Sequence, residues 1–171
     1  MIEPGFCNNE SQRTAELEAL DLVVSPPERN FDRITRLAKS HFKVNISLMS
    51  MVYKDMQWFK SACGIDDKST PRNVSFCGHV VEKGEPLVVL DPASDPRFFD
   101  NPLVVGRPKI RFYAGAPVFS PKGIILGTLC LLDNKAREFT VEDLQDLKDF
   151  ASLLETEIEA RSLREKTLAT A

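Results

Sequence analysis

Residues 71–139, PRNVSFCGHVVEKGEPLVVLDPASDPRFFDNPLVVGRPKIRFYAGAPVFSPKGIILGTLCLLDNKAREF, decide how this chain is read. Ser75 is placed to cap a short helix over FCGHVVEKG that stops at Gly84, because a serine oxygen accepts from the first free amides and glycine tolerates the left-handed exit. PLVVLD then reads as a strand. ASDPRFFDNPLVVGRPK is too rich in Pro, Asp and Asn for regular structure, and its Phe98, Phe99, Leu103 and Val104 are too apolar for a free linker. A loop that long in a compact domain reads as a functional lid. IRFYAGAPVFS and GIILGTLCLLD are two further strands joined by PKG. In the first, period-two alternation places Ile110, Phe112, Ala114, Ala116 and Val118 on one face, with Arg111, Tyr113 and Phe119 on the other. The layout is a sheet with a lid over a place for something small.

On the C-terminal side, Thr140 followed three residues later by Asp143 is a capping-box signature that opens a long helix from Val141. Leu144, Leu147, Ala151, Leu154 and Ile158 recur at three- and four-residue steps, the spacing of a coiled-coil seam, which Arg161 and Glu165 interrupt. On the N-terminal side, TAELEALDL predicts a helix with Leu17 and Leu20 on one face, ended by SPPERN, whose prolines cannot continue it. Phe31, Ile34, Leu37, Ala38 and Phe42 form the apolar stripe of a second helix. NISLMSMVYKD is apolar on both alternating faces, as a strand covered on two sides would be. QWFKSACGI follows after a tight turn, predicting a hairpin, with Met49, Met51, Trp58 and Phe59 assigned to the core; DDKSTPRN reads as a loop. Strands and helices in this order predict an α+β domain built on one antiparallel sheet flanked by helices.

Bulk composition narrows the function classes. With 171 residues the expectation is one core, and 43% hydrophobic with 27% charged residues is ordinary globular usage. A net charge of −3 with scattered Lys and Arg gives no footprint for a phosphate backbone, so no nucleic-acid partner is expected. No apolar run reaches membrane-spanning length, and MIEPGFCNNESQ lacks the basic and apolar regions of a signal peptide. The expectation is a cytoplasmic protein without a membrane partner. Cys7, Cys63, Cys77 and Cys130 have no CxxC pairing, which predicts reduced thiols and neither a disulfide framework nor a metal site.

The pieces LEALDLVVSPPERNFDRITRLA, ISLMSMVYKDMQWFKSACG, PRNVSFCGHVV, LVVLDPASDPRFFDNPLV, IRFYAGAPV and GTLCLLDNKAREFT, in that order, resemble the GAF domain of bacterial signalling proteins, in the form found ahead of diguanylate cyclase or histidine kinase domains. The resemblance runs from about Leu17 to Arg161. It implies a GAF/PAS-like fold with a central antiparallel sheet of about six strands, the first and last helices on one face and a ligand pocket on the other. It also implies homodimerisation through those helices, and an output domain or protein downstream. The expected organisation is a flexible arm over 1–11, the GAF domain over 12–160, and a helix end or coiled-coil linker over 161–171.

Within this frame the candidate ligand-binding residues are Cys77, His79, Asp91, Arg97, Phe98, Arg111, Tyr113, Thr128 and Cys130. Cys77 and His79 offer a thiol beside an imidazole, the minimum for nucleophilic chemistry, or two metal ligands. No acid to orient His79 and no further ligand at metal spacing is identifiable, so the pair reads as helix cap and pocket wall. Arg97 either forks onto a ligand carboxylate or phosphate, or pairs with a carboxylate while Asp95 opens a turn with Pro96. Arg111 and Tyr113 put a guanidinium and a phenol on one face, and Thr128 and Cys130 share a face of the next strand; buried, such groups need partners.

The expected function is a non-catalytic small-molecule sensor, not an enzyme, with the cofactor unassigned. Two alternatives use the same fold. A free methionine-(R)-sulfoxide reductase would employ Cys77 but needs a resolving cysteine, and the lid SDPRFFDNPLVVGRPK contains none. A bilin photosensor would need a cysteine thioether.

Overall fold

The computed structural model describes residues 1–171. The order is α1 (Glu10–Ala19), α2 (Arg29–Phe42), β1 (Ile46–Tyr53), β2 (Met56–Cys63), β3 (Ser69–Pro71), α3 (Phe76–Lys83), β4 (Leu87–Val89), α4 (Pro102–Val105), β5 (Phe112–Phe119), β6 (Ile125–Asp133) and α5 (Val141–Thr170). The strands form one six-stranded sheet in the order β3-β2-β1-β6-β5-β4, and all the pairs are antiparallel. One of the six, β3, lies inside DDKSTPRN, read from sequence as a loop: Ser69–Pro71 pairs with Met56–Trp58. Three residues with a proline at the end carry too little periodicity to announce a strand.

Two cores follow from the period-two alternation of the central strands. On one face Met49, Met51, Phe112, Ala114, Leu129 and Leu131 meet α1, α2 and α5 through Leu17, Phe31, Ala38, Leu147, Ala151, Leu154 and Ile158. On the other face Leu48, Val52, Tyr113, Cys130 and Leu132 meet α3 and the lid through Phe76, Val80, Phe98 and Val104. Two assignments are corrected. Ile110 lies outside β5 and packs with the lid-side core rather than with Phe112 and Ala114. The stripe Leu147, Ala151, Leu154 and Ile158 is spent on the domain's own sheet, so the expected coiled-coil seam is not open to a second helix.

Where the helices stop and start follows capping chemistry. Ser75 Oγ accepts from Gly78 N at 3.0 Å, and Gly84 ends α3 with φ 69°. Thr140 and Asp143 form the reciprocal capping box of α5. α5 stays anchored as far as Arg161, whose guanidinium donates to Glu28 at 2.9 Å and to the carbonyls of Leu20 and Asp21. Glu28 also pairs with Lys60 of β2 at 2.6 Å. From Leu163 onward every residue is exposed.

α1 has a different anchor. Arg13 is fully buried and donates to Leu126 O at 3.1 Å and to Val52 O, at the end of the two central strands. Glu10 clamps Arg13 and Arg72. Burial pushes the Glu10 carboxyl up, but the two guanidinium groups outweigh it and hold it at about 2. The segment before α1, expected as a flexible arm, is laid along α3. Ile2 N donates to Arg97 O at 3.0 Å, Gly5 N donates to Glu82 at 2.9 Å, and Arg72 sits 4.1 Å over the Phe6 ring.

Candidate functional site

The side chains that carry chemistry converge beneath α3. Ser75 starts this helix so that Cys77, in its first turn, points down onto β6. Cys77 Sγ lies 3.5 Å from Cys130 Sγ, 3.2 Å from the Tyr113 hydroxyl and 3.1 Å from Thr128 Oγ1. Tyr113, Thr128 and Cys130 are completely buried and Cys77 is 2% exposed. The Ser50 hydroxyl, buried on the same face of β1, has no hydrogen-bond partner of its own at normal geometry.

Two glycines shape this cluster. A Cβ on Gly115 would stand 2.2 Å from the Tyr113 hydroxyl, so the phenol can lean along β5 towards Cys77 only over a glycine. A Cβ on Gly127 would stand 1.8 Å from Ser50 O, so the close approach of β1 to β6 also requires glycine.

The electrostatics are asymmetric. Burial disfavours the Cys77 thiolate, but hydrogen bonds, chiefly from Cys130, Thr128 and Tyr113, favour it more, and the thiol is drawn down to about 7. Burial and the neighbouring Cys77 act together on Cys130 and push it well above the usual thiol range. Burial, then the charges of Cys77 and Cys130, keep the Tyr113 phenol protonated and donating. Cys77 is the acceptor of the cluster, and its neighbours are the donors.

Of the nine residues singled out from sequence, Cys77, Tyr113, Thr128 and Cys130 come together, and Phe98 closes the cluster from above. Its ring stacks on Phe76 at 4.1 Å, and Phe76 leans on Tyr113 at 5.0 Å. The space expected as a pocket is thereby packed with aromatic rings. The other four lie elsewhere. Positions 77 and 79 differ by about 200° around a helix, so the Cys77–His79 pair does not form. His79 instead faces the N-terminal segment, 3.2 Å from Ile2 O, and burial holds its imidazole below the usual range, as a neutral donor. Arg97 is held by Asp95 through two bonds of 2.9 and 2.7 Å, and Asp95 also accepts from Arg97 N, so its fork is taken within the chain. Asp91 is exposed and accepts from Ser94 Oγ at 2.8 Å. Arg111 is half-buried and donates to Val104 O and Ile110 O at 2.8 and 3.0 Å, bracing α4 and not reaching the thiols.

Several hollows lie outside the cluster. A groove of about 470 Å³ runs between the α1–α2 connection and β2, with Trp58 half-buried along it rather than in the core. Two of its charged groups already have partners, Lys60 with Glu28 and Ser25, and Asp32 with Ser61 at 2.6 Å. A smaller one, about 280 Å³, gathers His79, Arg97, Glu82 and Ile2. Sequence reasoning missed Ser50, Phe76 and Gly115. For two of them a signal was present as strand parity, since Ser50 shares a face with Leu48 and Val52, and Gly115 lies two residues beyond Tyr113; Phe76, on a helix, had none.

The GAF domain profile matches residues 26–158, and the chain belongs to the GAF family. A cyclic di-GMP phosphodiesterase of Pseudomonas aeruginosa is 38% identical over 155 residues, which are 90% of this chain and 26% of that protein. The chain thus spans about a quarter of that relative's length. Among solved structures, the fold is similar to the free methionine-R-sulfoxide reductase of Neisseria meningitidis (TM-score 0.67, 20% identity, 96% of this chain and 99% of that one). It is also similar to the GAF domain of an Acinetobacter phosphoenolpyruvate-protein phosphotransferase (TM-score 0.66, 13% identity, 92% and 97%). The chain is a GAF domain of the kind found in bacterial signalling proteins. No helix is long and apolar enough to cross a membrane.

One expectation is overturned. Catalysis was set aside because a reductase-type cycle needs a resolving thiol and the lid has none. The neighbours that share this fold include free methionine-R-sulfoxide reductases, and the 38% relative is named a phosphodiesterase, so the chain's fold and relatives are compatible with enzymes. The argument from the lid fails as well: a second thiol, Cys130, lies 3.5 Å from Cys77 on β6, a strand that the lid sequence does not include.

Proposed function

We propose that this domain is the sensory module of a bacterial signalling protein, binding a small molecule on the lid face of its sheet and relaying occupancy through α5. One observation carries the reading. β5 and β6 present the buried polar cluster on one face and receive Leu147, Ala151 and Leu154 of α5 on the other. A ligand that displaces Phe98 and pairs with Ser50, Thr128 and Tyr113 shifts these strands, and α5 rides directly on them. The helix then runs free from Leu163, where Leu163 and Leu168 stand exposed. That end is the proposed contact in a homodimer and the lead into an output domain. The phosphodiesterase relative supports an output concerned with a cyclic dinucleotide; the cytoplasm is the proposed setting.

The test is native mass spectrometry of the purified chain for co-purifying small molecules, together with sedimentation and a thermal-shift screen of metabolites. Ligand binding is expected to raise the melting temperature, and Thr128→Val to abolish that rise. A monomer at every concentration with no ligand found in either assay would refute the reading.

A further inference from the structure

We infer that Cys77 and Cys130 form a redox-active thiol pair which a hydroperoxide oxidises to a disulfide, stapling α3 to β6. The inference stands on geometry and does not require the ligand-sensing role. The two sulfurs are already in contact at 3.5 Å, and a disulfide needs them about 1.5 Å closer. Their surroundings divide the labour. The Tyr113 and Thr128 hydroxyls both point at Cys77 Sγ, which marks Cys77 as the sulfur best able to carry negative charge and attack. Cys130 is the remaining partner at contact distance. Neither of the other cysteines shares this setting: Cys7 donates to the Glu10 carboxylate at 3.2 Å, and Cys63 is half-buried at the end of β2.

The chemistry balances in two steps. Cys77 attacks one oxygen of the peroxide, the O–O bond breaks, and the thiol's proton leaves with the second oxygen as water or an alcohol; Cys77 becomes a sulfenic acid. Cys130 then attacks the Cys77 sulfur, the S–O bond breaks, and the Cys130 proton leaves with the hydroxyl as water. The peroxide has taken two electrons from two thiols. A low-molecular-weight thiol returns them and restores the pair. Entry is governed by the cover over α3. Pro4 packs so closely on Gly78 that a Cβ there would stand 2.6 Å from the proline ring, and Phe98 lies over Phe76. A molecule as small as hydrogen peroxide needs only a local opening of this cover.

The test uses the whole chain carrying Cys7→Ser and Cys63→Ser, exposed to hydrogen peroxide, then denatured, alkylated and weighed. The expected product has lost two hydrogens, takes up no alkylating agent, yields a Cys77–Cys130 cross-linked peptide, and regains both thiols with dithiothreitol. Adding Cys130→Ser is expected to stop the reaction at a dimedone-reactive sulfenic acid on Cys77, and Tyr113→Phe in the parent to slow thiol loss several-fold. Full alkylation of both cysteines after peroxide treatment that consumes Cys63 in the wild-type chain would overturn the inference. So would over-oxidation of Cys77 with Cys130 left alkylatable. The parent needs neither of the two further substitutions, so a folding failure in those variants leaves the result decisive.

Discussion

Gly115→Ala probes the cluster most directly. The new methyl carbon would sit 2.2 Å from the Tyr113 hydroxyl and 2.8 Å from the ring carbon that bears it. Ordinary contact begins above 3 Å, so the phenol must retreat by about 1 Å, and its 3.2 Å bond to Cys77 breaks. Overpacking a full core costs about 1–3 kcal/mol and the lost hydrogen bond about 0.5–1.5 kcal/mol, while the stiffer unfolded chain returns about 0.4–1 kcal/mol. The net is a loss of about 2 kcal/mol, or a fall of about 4–8 °C in melting temperature for a domain of this size. Calorimetry or a thermal melt measures it. In a Tyr113→Leu background the clashing atoms are gone, and the same glycine substitution should cost less by about 1 kcal/mol or more. A Gly115→Ala protein melting within about 1 °C of wild type, or an equal penalty in both backgrounds, would refute the packing argument.

Three further outcomes follow from other parts of the fold. The carboxyl of Glu10 is held at about 2 against an ordinary 4.5, so its stabilisation is complete above pH 4.5 and is lost as pH falls through 2. Allowing for solvent screening, denaturant titrations between pH 5 and 2 should show on the order of 1–2 kcal/mol from this group, absent in Glu10→Gln. Arg161→Met should cost about 3 kcal/mol in urea unfolding because Glu28 and the Leu20 carbonyl lose a buried partner, whereas truncation after Ser162 should cost less than about 0.5 kcal/mol. Ser75→Ala should lower stability by about 1 kcal/mol through loss of the α3 cap, read in the same assay.

The elements set by local chemistry were legible in the chain itself. Ser75, Gly84, Thr140 and Asp143 act over three or four residues, and the hairpin Ile46–Cys63 joins neighbouring segments, so their consequences can be worked out without the rest of the molecule. The candidate cluster was legible only in part. Alternation put Tyr113 on one face of its strand, and Thr128 and Cys130 on one face of theirs, but the meeting of Cys77 with Cys130 joins positions 53 residues apart through the crossing of α3 over β6. Arg97 and Arg111 stayed ambiguous, with the carboxylate partner of Arg97 among the readings, because a guanidinium has the same appearance in sequence whether its fork meets a ligand or, as here, Asp95 and the Val104 carbonyl. The buried Arg13 had no sequence signal at all: an arginine in a polar helix reads as solvated until the carbonyls at the end of β1 and β6 turn towards it.

The strand order has a consequence for how the molecule comes into being. β1 and β6 are neighbours at the centre of the sheet, so Ile46–Met51 must find Gly127–Leu132 across some eighty residues of chain. During synthesis from the N-terminus, the hairpin of β1 and β2 can assemble early with α2 upon it, but the middle of the sheet stays open until β6 has left the ribosome, and the helix-covered face of β5 stays bare until α5 follows. Such long-range closure slows folding and leaves the edge of β1 exposed meanwhile. The interval between translation of Met51 and of Leu154 is therefore when this domain is most vulnerable to aggregation, and when a chaperone would have most to hold.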